Sequence, residues 1–302
     1  MADIYRHEAL PYSGEVHFVA ACTGVVRDAL EQDERPLVLA GFDKVDAVRA
    51  ALGADADEVT FVATDEHGRN PGRITTMLHR FATDAKGQRC VGVNEPVFAG
   101  RFPTAIDEVV LAEFLLNEQG LRTLPLSIVC MYDDGALDSP VMDSMRQSHP
   151  VVRGQDANPE YRLGRGRALY ETDLGAAPPG ARRLVVGTHG LDDMRGFVGT
   201  IAAGFGIAAD RVADLVLAAN EIVTNSLRYG GGRARLATWF ADGSAICEVR
   251  DDGHISDPLV GRFAPPSNAS GGRGLWLANH LCDLVQLRSF RGGTVVRLHV
   301  DR

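Results

Sequence analysis

The sequence has no basic cluster followed by an apolar stretch at its start (MADIYRHEALPYSGEVHF), so no secretory leader is expected. It has no run of about 18 apolar residues, so no membrane-spanning helix is expected. Positive charge is in deficit: 31 Lys and Arg stand against 40 Asp and Glu, a net charge of -9 that gives no bulk attraction to nucleic acid or an anionic membrane. A helix-turn-helix with a basic recognition helix is missing too, which argues against direct DNA binding. Cysteine is sparse. The five (Cys22, Cys90, Cys130, Cys247 and Cys282) are odd in number, scattered and without a CxxC pair, and they read as free thiols in a reducing cytoplasm. Cys22 and Cys90 read as small core residues. There is no phosphate loop GxxxxGK[ST]: the expected first strand, residues 16–20, runs into ACTGVVRDAL, which has no lysine to meet a phosphate.

A length of 302 residues favours two domains, each long enough to bury a core. Residues 1–152 alternate apolar runs at 16–20, 36–40, 59–63, 90–93 and 126–132 with helical stretches at 24–32, 43–52, 70–86, 105–119 and 139–148. That alternation predicts a parallel α/β sheet. Residues 153–182 are rich in Gly, Pro, Arg and Ala, contain the breaker PPG, and read as a linker or as a loop packed on either neighbour. Residues 183–302 follow another order: a strand at 184–187, helices at 192–204 and 209–229, strands at 234–241 and 244–250, a loop at 253–272, a helix at 274–282, and strands at 284–290 and 294–300. This pattern predicts an α+β sandwich with antiparallel strands and helices on one face.

Four pieces of this third region can carry chemistry. In AANEIVTNSLRYG, Glu221 and Asn225 are four residues apart and share a helix face. An amide oxygen is a hard ligand suited to Mg²⁺, and a carboxylate can deprotonate a nucleophile. In ICEVRDDGHISDP, Asp251 ends a strand where its carboxylate could accept from an adenine amino group, and Gly253 lets backbone approach the ring. In SNASGGRGLWLANHLCD, Gly272, Arg273 and Gly274 open a helix, whose free N–H groups suit a phosphate. In GGTVVRLHV, Thr294 starts the last strand. Each alone is weak: an exposed Glu/Asn pair, an acidic turn and a flexible loop are common.

In this order, the pieces resemble the N, G1 and G2 boxes of the GHKL (Bergerat) ATPase superfamily, and within it the anti-sigma-factor serine kinases of the RsbW/SpoIIAB kind. The resemblance implies Glu221 as catalytic base and Asn225 as Mg²⁺ ligand. It implies that Asp251 reads adenine, that Gly253, Gly272, Arg273 and Gly274 shape the ATP pocket, and that Thr294 supports the adenine end. It also implies a sigma factor or a STAS-type anti-anti-sigma protein as partner, and dimerisation of the kind such kinases commonly show. Two positions depart from the pattern. Ile255 stands at the second glycine of DxGxG, and Ser270 stands where these kinases carry an arginine for the γ-phosphate; Arg273 could serve instead. A histidine kinase would need a helical hairpin bearing its phosphoacceptor, and residues 153–182 are too short and too rich in Gly and Pro for one. His189 sits in the glycine turn GTHGLDD instead.

HEALPYSGEVHF, EHGRNPGRI, GVNEPVFAG and CMYDDGALDSPVMDSMRQSHP resemble the MEDS sensory domain of DcmR-like regulators. That implies a RecA/KaiC-like fold without its phosphate loop, used to sense a small molecule. His7, Glu95, Tyr132, Asp133 and His149 are the polar candidates. Glu95-Pro96 ends a strand, where parallel sheets place ligands. His7 and His149 are possible metal ligands, although histidines so far apart are more often structural. Asn70-Pro71 reads as a helix cap rather than a ligand contact.

Overall fold

The computed structural model describes residues 5–64, 70–98, 101–155, 158–265 and 272–302. The chain divides into two compact units, Met1–Gly166 and Arg167–Arg302. Among the described residues no helix is long and apolar enough to cross a membrane.

The first unit is a six-stranded, wholly parallel sheet. Its strands are β1 (Tyr5–Tyr12), β2 (Arg35–Ala40), β3 (Thr60–Ala63), β4 (Cys90–Asn94), β5 (Leu126–Asp133) and β6 (Val151–Val152), in the order β3-β2-β4-β5-β1-β6. Its principal helices are α1 (Gly14–Glu31), α2 (Phe42–Leu52), α3 (Pro71–Asp84), α4 (Pro103–Leu116) and α5 (Ser139–Ser148). Runs such as LVLA and SIVCMY are apolar throughout because helices cover both faces. One face carries Leu10, Tyr12, Val129 and Met131 against Phe18, Cys22 and Val26 of α1. The other carries His7 and, from the neighbouring strand, Ile128, Cys130 and Tyr132. Asn70 caps α3 by accepting from Gly72 N at 3.0 Å, with Pro71 at the first helical position, as the dipeptide suggested.

The structure corrects the start of the chain. The first strand is Tyr5–Tyr12, and residues 16–20 lie inside α1. Phe18, Cys22, Val25, Val26 and Ala29 are buried at helical spacing, so the apolar run belongs to an amphipathic helix. Tyr5–Tyr12 is hidden in the sequence by its charges. Glu8 is only 2% exposed, and ion pairs with Arg6 (2.6 Å) and Arg153 (Nε at 2.8 Å) compensate its burial. The turn after the true first strand is Tyr12-Ser13-Gly14, again without a phosphate-loop lysine.

The second unit is a five-stranded antiparallel sheet, order β10-β11-β9-β8-β7, built from β7 (Arg182–Val186), β8 (Ala234–Ala241), β9 (Ser244–Asp251), β10 (Leu284–Phe290) and β11 (Gly293–Asp301). After the short helix α6 (Arg165–Tyr170), its helices are α7 (Leu191–Gly204), α8 (Ala209–Tyr229) and α9 (Arg273–Leu281). Helix α8 buries Leu215, Ala218, Ala219, Ile222, Val223 and Ser226, a stripe at spacings of three and four. The stretch read as a linker is divided between the units. Arg162 N donates to Gln147 O at 2.9 Å in the first. Tyr170, 1% exposed, donates to Ile255 O at 3.0 Å in the second, where Asp173 also pairs with Arg250 at 2.9 Å.

Gly293 joins β10 to β11 at φ +127°, and an added Cβ there would stand 2.1 Å from Asp251 O. Both tryptophans, Trp239 and Trp276, lie in the second unit, so their fluorescence reports its unfolding. Gly293→Ala should destabilise this unit by more than about 2 kcal/mol. Gly243→Ala (φ +80°, open surroundings) should cost only about 1 kcal/mol. Equal losses in denaturant titrations followed at tryptophan would contradict this packing. A second expectation concerns pH. Burial, and then the charge of Arg297, push His299 from 6.5 down to about 4. Between those values the unfolded chain binds more protons than the folded one, so stability falls as pH falls, by at most about 3 kcal/mol. In His299→Gln the same titration should lose most of that slope.

Candidate nucleotide site

The site is built where the C-terminal end of α8 meets the end of β9. Asp251 is the joint. Its Oδ2 accepts from Ser226 Oγ at 2.6 Å and its Oδ1 from Gly253 N at 2.8 Å. Ser226 is 1% exposed and lies one position beyond Asn225. Neither position 230 nor position 253 leaves room for a side chain beside this carboxylate. A Cβ on Gly230 would stand 2.4 Å from Asp251 Cγ, and one on Gly253 would stand 2.9 Å from Gly230 Cα and Tyr229 O. Glycine at both places is therefore a packing requirement.

Thr294 pairs with Asp251 across β11 and β9, and its hydroxyl donates to Gly253 O at 3.0 Å. Ser289 Oγ lies 3.0 Å from Thr294 Oγ1 and accepts from Ile255 N at 2.8 Å. The loop after Asp251 is thus pinned from below by two hydroxyls. Ile255 replaces the glycine of the family pattern without strain. It is not among the residues with positive φ, and both its N–H and its carbonyl have partners, Ser289 and Tyr170.

Glu221 and Asn225 sit one helical turn apart on α8, both half-buried, beside the apolar stripe. Helix α9 begins against them. A Cβ on Gly274 would lie 3.0 Å from Glu221 Oε2 and 3.1 Å from Asn225 Nδ2. The absence of that Cβ lets the helix N-terminus approach the polar pair. Gly272, at φ +83°, is the N-cap and has no side chain to satisfy the first-turn N–H groups. Those donors and the helix dipole suit an anion. Asn279, 6% exposed, braces α9 by donating to Gly261 O and Leu275 O, each at 3.1 Å.

All eight residues singled out in this region lie on these adjoining elements: Glu221 and Asn225 on α8, Asp251 and Gly253 at the end of β9, Gly272, Arg273 and Gly274 opening α9, and Thr294 on β11. Arg273 is exposed. Ser270 lies outside the described residues. Sequence reasoning missed Ser226, Ser289 and Asn279. Each is a buried polar residue whose partners are remote in sequence, a signal that needs the fold to be read.

In the first unit, Glu95 follows the end of β4, as expected, and Asp133 is the last residue of β5. Glu95 is engaged by Lys44 and by the Tyr12 hydroxyl, while Asp133 Oδ1 accepts from Gly135 N at 3.1 Å. His7, Tyr132 and His149 converge elsewhere on the sheet: the imidazole centroids are 4.2 Å apart, and Tyr132 stands edge-on to His149.

Comparison with known proteins agrees with the two-part organisation. No curated protein matches the chain. Among solved structures, the RsbU and RsbW domains of Rv1364c from Mycobacterium tuberculosis are 20% identical, with a TM-score of 0.30 over 41% of this chain and 33% of that one. The chain thus spans about a third of that protein's length, and so slight a likeness fixes neither fold nor activity. Two family models match: residues 6–150 fit MEDS, the methanogen/methylotroph, DcmR sensory domain, and residues 189–300 fit the histidine kinase-like ATPase domain. The chain therefore joins a MEDS domain to a histidine kinase-like ATPase domain.

Proposed function

We propose that this protein is a regulatory switch whose second unit binds Mg²⁺-ATP and acts as an anti-sigma factor and serine/threonine kinase on an anti-anti-sigma partner, under control of a ligand sensed by the first. The observation that carries the reading is the meeting of Glu221, Asn225 and Gly274. A carboxylate and a side-chain amide, whose oxygen is a hard ligand once the amide turns it inward, lie beside a helix N-terminus that no side chain caps, around one gap that a single Cβ would crowd.

The geometry supports the following roles. Asp251 keeps lone pairs for the adenine amino group, while Ser226 and Gly253 hold the carboxylate in place. Backbone N–H groups of the first turn of α9 take the phosphates. Asn225 Oδ1 would hold the magnesium ion, which neutralises phosphate charge. Glu221 lies at the phosphate end and would take the proton from the partner's hydroxyl as that oxygen attacks. The regular backbone at Ile255 removes one objection to an active kinase.

Calorimetry with Mg²⁺-ATP tests the site. Asn225→Ala and Asp251→Asn should each weaken binding tenfold or more, about 1.4 kcal/mol. Gly274→Val should do the same by filling the gap. A wild-type chain that binds no nucleotide would sink the reading. Glu221→Gln separates chemistry from binding. It should bind ATP within about threefold of wild type and lose transfer to STAS-type proteins by about 10²–10⁴-fold. Acid-stable phosphoserine on the partner is the expected product. Binding without transfer to any partner would reduce the protein to a nucleotide-dependent anti-sigma factor. Acid-labile phosphate on the chain itself would favour histidine-kinase chemistry.

A further inference from the structure

The first unit contains a second cluster that the nucleotide chemistry does not use. His7 on β1, Glu113 on α4, Cys130 on β5 and His149 just after α5 place one donor atom each within 4.8 Å of all the others. All four residues are at most 3% exposed. His7 Nε2 lies 3.3 Å from Glu113 Oε2 and 3.4 Å from Cys130 Sγ, and His149 Nε2 lies 3.0 Å from the same Glu113 oxygen. With metal–ligand bonds of about 2.0–2.3 Å, a tetrahedral zinc ion sets its ligand atoms about 3.3–3.6 Å apart. The observed spacings approach the edges of such a tetrahedron.

Hydrogen bonds on the far sides of the rings point the same way. Asn117 Nδ2 donates to Glu113 O (3.3 Å) and Ser148 O (2.8 Å), which fixes its Oδ1 toward His7. His7 Nδ1 must then donate to that oxygen, at 3.1 Å. His149 Nδ1 likewise donates to Met145 O at 2.8 Å. Both imidazoles in their neutral forms therefore aim an Nε2 lone pair into the cluster. There they face the Glu113 carboxylate, an acceptor too, and the Cys130 sulfur, which as a thiol offers a single weak S–H donor for all of them. His149 Nε2, completely buried, has no aligned hydrogen-bond partner: Glu113 is near, but off the ring's N–H direction. A proton on that nitrogen would not point at the carboxylate, whereas a cation at the centre would satisfy all four atoms. Outer-sphere partners that hold a ring by Nδ1–H are characteristic of metal-binding histidines.

We propose that His7, Glu113, Cys130 and His149 form a tetrahedral site for a divalent transition metal of the zinc type. Two imidazoles, a thiolate and a carboxylate make a borderline-soft set that selects zinc or cobalt over magnesium or calcium. Four protein ligands close the coordination shell. The ion would clip β1, α4 and β5 to the segment that leaves α5, joining residues remote in sequence. A groove lined by Tyr5, His7, Asn117 and Tyr161 reaches the His7 side and offers a way in.

The full chain, stripped by chelator and free of nucleotide, is titrated with Co²⁺. One equivalent should give the visible bands of tetrahedral cobalt and a thiolate-to-cobalt charge-transfer band in the near ultraviolet. Cys130→Ser should lose the charge-transfer band, Cys282→Ser should keep it, and His149→Gln should bind tenfold or more weakly. Circular dichroism on each variant establishes that it is folded. X-ray absorption on zinc-loaded wild type, which needs no variant, should show one sulfur among nitrogen and oxygen ligands. No cobalt spectrum from folded wild type, a charge-transfer band that survives Cys130→Ser, or a zinc shell without sulfur would each overturn the site.

Discussion

A carboxylate at the end of a strand must find donors, and in the second unit the search for them organises everything nearby. Asp251 takes one hydrogen bond from the helix residue Ser226 and one from the backbone of Gly253. Those two bonds tie the end of α8 to the end of β9 and set the height of the helix above the sheet. Because Glu221 and Asn225 lie on the same last turns of α8, their position is inherited from that joint. The crowding at Asp251 demands Gly230 and Gly253, and Thr294 and Ser289 then hold the loop that begins there.

The approach of α9 depends on the same scaffold. A Cβ at position 274 would crowd Glu221 and Asn225, so glycine lets the helix start close to them, and Asn279 braces the helix through Gly261 O and Leu275 O. A helix N-terminus brought against an acid and an amide is a poor arrangement for an isolated fold. The proposed ligand, carrying both phosphate and cation, would complement that arrangement.

The first unit solves a different problem. A parallel sheet covered on both faces has little room for charge, yet Glu8, Glu95 and Glu113 are each at most 5% exposed. Each has a local remedy. Glu8 is held by two arginines, and Glu95 by Lys44 and the Tyr12 hydroxyl. Glu113 faces two imidazoles and a cysteine. The first two remedies are ion pairs with groups that reach solvent, whereas the third is wholly interior. An uncompensated interior carboxylate is costly, so the third remedy has to be as complete as the others.

By itself the sequence determined the class of both units, the order of the short motifs along the second, and the lack of a phosphate-loop lysine. These are legible because they live in local spacing: four residues for a helix face, a glycine before a helix, apolar runs broken at regular intervals. It misplaced the first strand, because a buried charge paired with Arg6 on the same strand and with the remote Arg153 disguises a core strand as surface. It also left His7 and His149 as isolated histidines. Only the tertiary structure brings them to Glu113 and Cys130, since a parallel sheet juxtaposes residues from chain segments more than a hundred positions apart. Ser226 and Ser289 acquire meaning in the same way. A serine hydroxyl says nothing until the fold shows which carboxylate or amide it must satisfy.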